Sequence, residues 1–282
     1  MNGDGRSRRD EQDCLLVGAM WSYATNVLAP AQAIKRALRA WPMAGASLPD
    51  VVRRRGLGPH FSRIHRVPHL ARNDTEHDHL VREFDRAAEV YAAFVRPFSR
   101  PIFEEALMVI ERFIPPDGRI LDAGCGPGSE LRRIARLVPR GEVVGVDLAA
   151  GMVNAAYRSA RAAGIDNTAF IQADVGALPP EFTNAFDVIY SVLAHHHYPD
   201  RRRATLEIYR SLRPGGVYCV VDAGPTWYKA MASPLAKATD PGWIGFLTPA
   251  EFARLFSDCG FERTRWYDAL PGFGVAVAEK PA

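Results

Sequence analysis

The run Arg119-Ile-Leu-Asp-Ala-Gly-Cys-Gly-Pro-Gly-Ser129 constrains this chain more than any other stretch. An apolar segment ends on an acid, glycines follow at 124, 126 and 128, and a helical pattern begins at once. Glycines at that spacing let a chain leave a buried strand, turn tightly and lay bare backbone against a ligand. A glycine turn alone is weak, because such turns are common after strands. Here two more acids follow, Asp147 and Asp174, each at the end of its own short apolar run.

From residue 119 onward, strand and helix patterns alternate, which predicts a parallel sheet covered on both faces. Strands are expected at 119–123, 142–147, 168–173, 186–191, 216–222, 261–267 and 272–279. Helices fit at 129–138, 150–163 and 201–212, and Thr248-Pro-Ala-Glu251 opens another with capping-box spacing that runs to Cys259. Residues 223–247 read as a Gly/Pro/Trp-containing segment. The expected fold is therefore α/β, a doubly wound, mostly parallel sheet of seven strands whose last two form a hairpin. Upstream, Leu80, Phe84, Tyr91 and Val95 lie on one helical stripe, which Pro97 and Pro101 are expected to break before a second helix over 102–114. The chain divides into an N-terminal helical extension, 1–75, and a domain, 76–282, with two helices at 76–117 ahead of a core at 118–282. The first dozen residues are polar and expected to be disordered.

Net charge is only +3, but residues 1–75 hold 12 basic against 6 acidic side chains. That density suits a solvated surface, with an acidic partner as the sharper alternative. Cysteines at 14, 125, 219 and 259 show no metal spacing and are read as free thiols of a reducing compartment. The uncharged segment 14–34 has the length of a membrane helix, yet it contains Ser22, Thr25, Asn26, Pro30 and Gln32 and follows acids rather than basic residues. A cytoplasmic protein without a membrane segment is expected.

Taken together, the glycine turn and the three strand-end acids resemble the cofactor site of class I S-adenosylmethionine-dependent methyltransferases. The resemblance covers residues 80–282 and implies S-adenosylmethionine as cofactor. Asp122, Gly124, Cys125, Gly126 and Gly128 would meet its amino acid end. Asp147 would accept the ribose hydroxyls, Leu148 and Met152 would border the adenine, and Asp174 with the Val175 backbone would bind the adenine edge. Ser191 would line the cofactor after the fourth strand, and Tyr91 would close over it from a lid helix, unless it is a core residue of its stripe. A nicotinamide site shares the glycine turn but wants its third glycine three residues after the second, whereas Gly128 follows Gly126 by two.

On the acceptor side, His195-His-His197 resembles an element of small-molecule members of that family. One of these imidazoles is a candidate general base, with a loop-bracing role as the other reading. A metal would need distant partners such as His77, His79 or Asp222, and none is expected. Trp227, Tyr228, Trp243 and Phe246 lie where acceptor-binding insertions occur and are expected to line the substrate. The chain lacks the Asp/Asn-Pro-Pro-aromatic signature of nucleic-acid amino methylation, so the implied function is methyl transfer to O, N or C of a small-molecule metabolite. Nucleic acid is an unlikely partner on this reading, and the oligomeric state stays open. An RNA or carrier-bound substrate, and a cofactor-binding protein without transfer activity, remain as alternatives.

Overall fold

A computed structural model describes residues 96–239 and 242–282. The expected extension 1–75, the Tyr91 stripe, Cys14, His77 and His79 lie outside the described residues. Within them, helix α1 (Arg96–Ile110) precedes β1 (Arg119–Ala123), α2 (Leu131–Leu137), β2 (Glu142–Asp147), α3 (Ala150–Ala162) and β3 (Thr168–Gln172). After two short 3-10 turns come β4 (Phe186–Val192), α4 (Arg201–Ser211), β5 (Leu212–Ala223), α5 (Thr226–Thr239), α6 (Pro249–Asp258), β6 (Glu262–Leu270) and β7 (Phe273–Glu279).

The strands form one sheet in the order β3-β2-β1-β4-β5-β7-β6. β1 to β5 run parallel, and β7 lies antiparallel between β5 and β6. Alternation along the strands sorts side chains onto two faces. Ile120, Val143, Val188 and Val217 pack with α1 and α2, through Phe103, Ala106, Ile110, Leu131 and Ile134. Leu121, Val144, Ile189 and Tyr218 pack on the opposite face with α4 and α6, through Ala204, Ile208, Phe252 and Phe256.

Three local features differ from the sequence expectation. Pro101 lies inside α1 rather than ending it, because the flanking Ile102, Phe103, Ala106 and Ile110 bury against the sheet and outweigh one lost backbone bond. α5 forms where no helix was assigned and also contains a proline, Pro234. Lys229 of α5 holds Glu251 of α6 at 2.7 Å, and Tyr228 is buried against Phe273, so tertiary contacts support the helix. β5 starts at Leu212 rather than 216, since Leu212 pairs with Phe186 across a register shift. The Thr248 capping box is formed as expected, with Glu251 returning to the Thr248 N–H at 2.7 Å.

Phe256 is fully buried between Tyr218, Phe252 and Phe261. Phe256→Ala is expected to cost about 3–5 kcal/mol, read as a lowered urea midpoint with an unchanged slope.

Candidate functional site

The strand order reverses between β1 and β4, with β2 and β3 on one side and β5, β7 and β6 on the other. In open parallel sheets the crevice at the carboxyl ends of such a pair receives ligands. The glycine turn leaves β1 there, and the histidine segment leaves β4.

Gly124, Gly126 and Gly128 all have positive φ, at 83°, 49° and 73°. They serve different ends. A Cβ on Gly124 would lie 2.6 Å from the Ala194 Cβ, so the turn must be bare where it passes the histidine segment. A Cβ on Gly128 would come within 2.9 Å of the Ala156 Cβ on α3. At Gly126 it would meet nothing within 4 Å, so this glycine faces open space. Asp147 holds the turn in place. Its Oδ2 accepts the Gly126 N–H at 2.8 Å and its Oδ1 accepts the Ala149 N–H at 3.0 Å.

The space beside Gly126 is framed by acids. Asp122 is 2% exposed and accepts the Tyr190 hydroxyl at 2.8 Å. Burial pushes its carboxyl well above the usual range. The Tyr190 bond opposes that rise, while the charges of Glu130 and Asp147 add to it. A cation would relieve this mutual repulsion, and the bare Gly126 backbone leaves room for one. The donor set thus fits the ammonium and sulfonium of S-adenosylmethionine. Asp147 is suited to ribose hydroxyls, because a carboxylate offers about four acceptor positions.

Other expected cofactor residues are also ordered at this edge. Cys125 is buried and its thiol is pushed up by desolvation and then by Asp147 and Asp122, so it is a packing thiol. Leu148 is half-buried and accepts the Gln172 side chain through its carbonyl, while Met152 is 2% exposed and packs with Ala149. Asp174 caps the 3-10 turn at 175–177 through a 2.7 Å bond from the Gly176 N–H, and Val175 is buried at its start. Ser191 differs from expectation. Its fully buried hydroxyl pairs with Tyr198 Oη at 3.0 Å, and Tyr198 in turn donates to the Ala123 carbonyl at 2.7 Å. The Ser191 side chain therefore braces β4 against the turn rather than facing a ligand.

The three histidines form one 3-10 turn yet occupy unlike surroundings. His195 is 1% exposed between the rings of Tyr198 and Phe252, with no partner for either nitrogen. Desolvation lowers its pKa to about 3, against a smaller opposing pull from Asp222, so it is neutral. His196 Nδ1 lies 2.9 Å and 3.1 Å from the two oxygens of Asp222 at the end of β5. Burial would raise the Asp222 carboxyl, but the charge and bond of His196, with His195 and the Ala223 N–H, hold it below its ordinary value. His197 is half-buried with its ring 4.2 Å from that of His196. Among the described residues, no group of three His, Cys, Asp or Glu is placed to hold a metal.

Of the four expected acceptor aromatics, one reaches the histidines and a second packs against it. The Phe246 ring lies 5.2 Å from His196, and Trp243 lies 5.5 Å from Phe246. The Ile244 N–H bonds the His196 carbonyl at 3.0 Å, and Arg201 bonds the Gly245 carbonyl, which together fasten this segment over His196. Trp227 is 55% exposed at the start of α5. Tyr228 instead packs into the hairpin turn, where any Cβ on Gly272 would fall 2.3 Å from its ring. Sequence reasoning gave no site role to Arg201 or Tyr198 and treated Asp222 only as a remote metal partner. The one available signal was that Asp222, like Asp147, ends an apolar strand.

Residues 120–216 match a family described as a methyltransferase domain. The chain is 36% identical over 126 residues to a cycloartenol-C-24-methyltransferase of Arabidopsis thaliana, covering 42% of this chain and 37% of that one. It is 32% identical over 152 residues to a demethylmenaquinone methyltransferase of Symbiobacterium thermophilum, covering 52% and 61%. A solved S-adenosylmethionine-dependent methyltransferase from Aquifex aeolicus shares the fold at a TM-score of 0.55 and 18% identity, covering 69% of this chain and 97% of that one. The chain spans about half the length of the curated relatives it matches.

Asp147→Ala is expected to weaken S-adenosylmethionine binding by about 2 kcal/mol, since ribose contacts and the brace on Gly126 go together. Calorimetric titration of the purified variant checks this, and an unchanged dissociation constant overturns the assignment. A second expectation concerns stability. His195 is neutral in the fold but takes a proton near pH 6.5 once unfolded, so stability falls as pH drops from about 6.5 toward 3, by up to about 1.4 kcal/mol per pH unit. Urea denaturation at pH 7 and pH 5 is expected to show this loss in the wild type and a smaller one in His195→Phe.

Proposed function

We propose, for this member of the class I S-adenosylmethionine-dependent methyltransferases, transfer of a methyl group to a hydroxyl oxygen of a small-molecule acceptor, with His196 as general base. The observation that carries this reading is the buried His196–Asp222 pair at the carboxyl edge of β4 and β5. An ionised carboxylate on Nδ1 selects the tautomer whose proton sits there and directs Nε2 to take a proton from the acceptor. Asp222 is thus a positioning residue. His195, enclosed and neutral, supports the loop, and Tyr198 ties that loop to the glycine turn.

S-adenosylmethionine supplies an electrophilic methyl on a sulfonium when bound. Asp122, Asp147, Asp174 and the Gly126 backbone would hold it, and the segment from Trp243 to Phe246 would exclude water from the acceptor side. Most of the rate would come from positioning two reactants in a closed site. The two curated relatives above are named for cycloartenol and demethylmenaquinone, both small molecules, which supports an acceptor of that size.

His196→Ala is expected to lower turnover about 10²–10⁴-fold while S-adenosylmethionine affinity stays near wild type. Wild-type turnover should rise with pH as the imidazole loses its proton, and that dependence should vanish in the variant. Asp222→Asn should reduce turnover and alter the pH profile without abolishing cofactor binding. The assay follows S-adenosylhomocysteine release with a panel of hydroxylated aromatic and aliphatic compounds. Normal rates and an unchanged profile in His196→Ala overturn the base assignment.

A further inference from the structure

Arg201 Nε, Trp243 Nε1 and both nitrogens of His195 are buried without a hydrogen-bond partner. Buried donors are almost always paired, so a native exception asks what pairs with it. His195 is accounted for by its aromatic enclosure. The other two atoms are different. Arg201 Nε and Trp243 Nε1 are obligate donors, with no capacity to accept. They also belong to the same small neighbourhood, because Arg201 bonds the Gly245 carbonyl two residues beyond Trp243. Trp243 meets Phe246, and Phe246 meets His196.

The charges facing Arg201 come from two elements. Asp222 of β5 and Glu251 of α6 both favour its protonated form, while burial opposes it. Each of these acids already has a partner of its own, His196 for Asp222 and Lys229 for Glu251. The guanidinium is therefore left with a neutral carbonyl as its bonded partner. That carbonyl belongs to Gly245, whose φ of 126° is open to glycine and hardly to other residues. Both donors therefore sit in, or bonded to, the segment that packs on His196, with their hydrogen-bonding capacity unused.

We propose that Arg201 and Trp243 form the specificity element of the acceptor site and bind an anionic oxygen, a carboxylate, of the methyl acceptor. This rests on the reading of His196 as the acceptor-side base. A carboxylate offers two oxygens to a planar guanidinium and accepts from an indole N–H at the same time. The acceptor class is then an aromatic hydroxy acid: the ring lies against Phe246 and the hydroxyl approaches His196.

The test needs neither cofactor nor turnover. The full-length protein is labelled with ¹⁵N at its tryptophan indoles, and the Trp243 cross-peak is assigned by its absence in Trp243→Phe. Titration with 2-hydroxybenzoate is expected to shift that cross-peak, whereas 2-hydroxybenzamide, its neutral counterpart, leaves it in place. Arg201→Met should weaken the response to 2-hydroxybenzoate at least tenfold, and Arg201→Lys should restore part of it. An equal shift with the amide overturns the proposal on the wild type alone, whether or not any variant folds. An Arg201→Met titration like that of the wild type also overturns it. If His196→Ala keeps full turnover while the carboxylate still shifts Trp243, the base assignment falls and the anion site stands.

Discussion

The two hydrogen bonds accepted by Asp147 are the constraint on which the site depends. They join the end of β2 to the turn that leaves β1, through Gly126, and to the start of α3, through Ala149. Without them the three positive-φ glycines would be a floppy connection, since glycine carries the largest backbone entropy to be lost on ordering. Packing then fixes the rest. Gly124 passes the Ala194 side chain too closely for any Cβ, and Gly128 does the same to Ala156. The turn is held from three sides, and only its middle residue, Gly126, opens on free space.

The acceptor half is organised by a different principle, burial of charge in pairs. Asp222 is 1% exposed and would be costly there alone, but His196 and the Ala223 N–H satisfy it. Tyr198 carries the connection back to the cofactor half, because a single hydroxyl bonds both Ser191 of β4 and the Ala123 carbonyl of β1. The histidine segment and the glycine turn are therefore tied together.

Much of this was legible in the sequence. The core strands ended within a residue or two of their expected limits in most cases, because each was a short apolar run bounded by a glycine or an acid. The strand-end positions of Asp122, Asp147 and Asp174 were legible for the same reason. What escaped notice depended on contacts between distant residues. Nothing local pairs His196 with Asp222, 26 positions away, or turns Ser191 inward to meet Tyr198. α5 was hidden by Pro234, whose local penalty is offset by the Lys229–Glu251 pair and the burial of Tyr228. Pro101 was misread in the same way, since a proline near a helix start costs little once neighbouring residues reach the core.

The placement of β7 between β5 and β6 has a consequence for how the molecule assembles during synthesis. β1, β2 and β3 can pair among themselves as they emerge, but β1 then presents an unpaired edge until β4 arrives, some 68 positions later in register. β5 likewise waits for β7, the last of the described strands. Lys280, just beyond β7, then donates to Asn184 and to the carbonyls of Tyr209 and Leu212. These non-local closures make ordering slow and late. A nascent chain would expose the edge of β1 until β4 emerges and the edge of β5 until β7 emerges. Ribosome-bound intermediates should thus be the form most prone to aggregate and most in need of a chaperone.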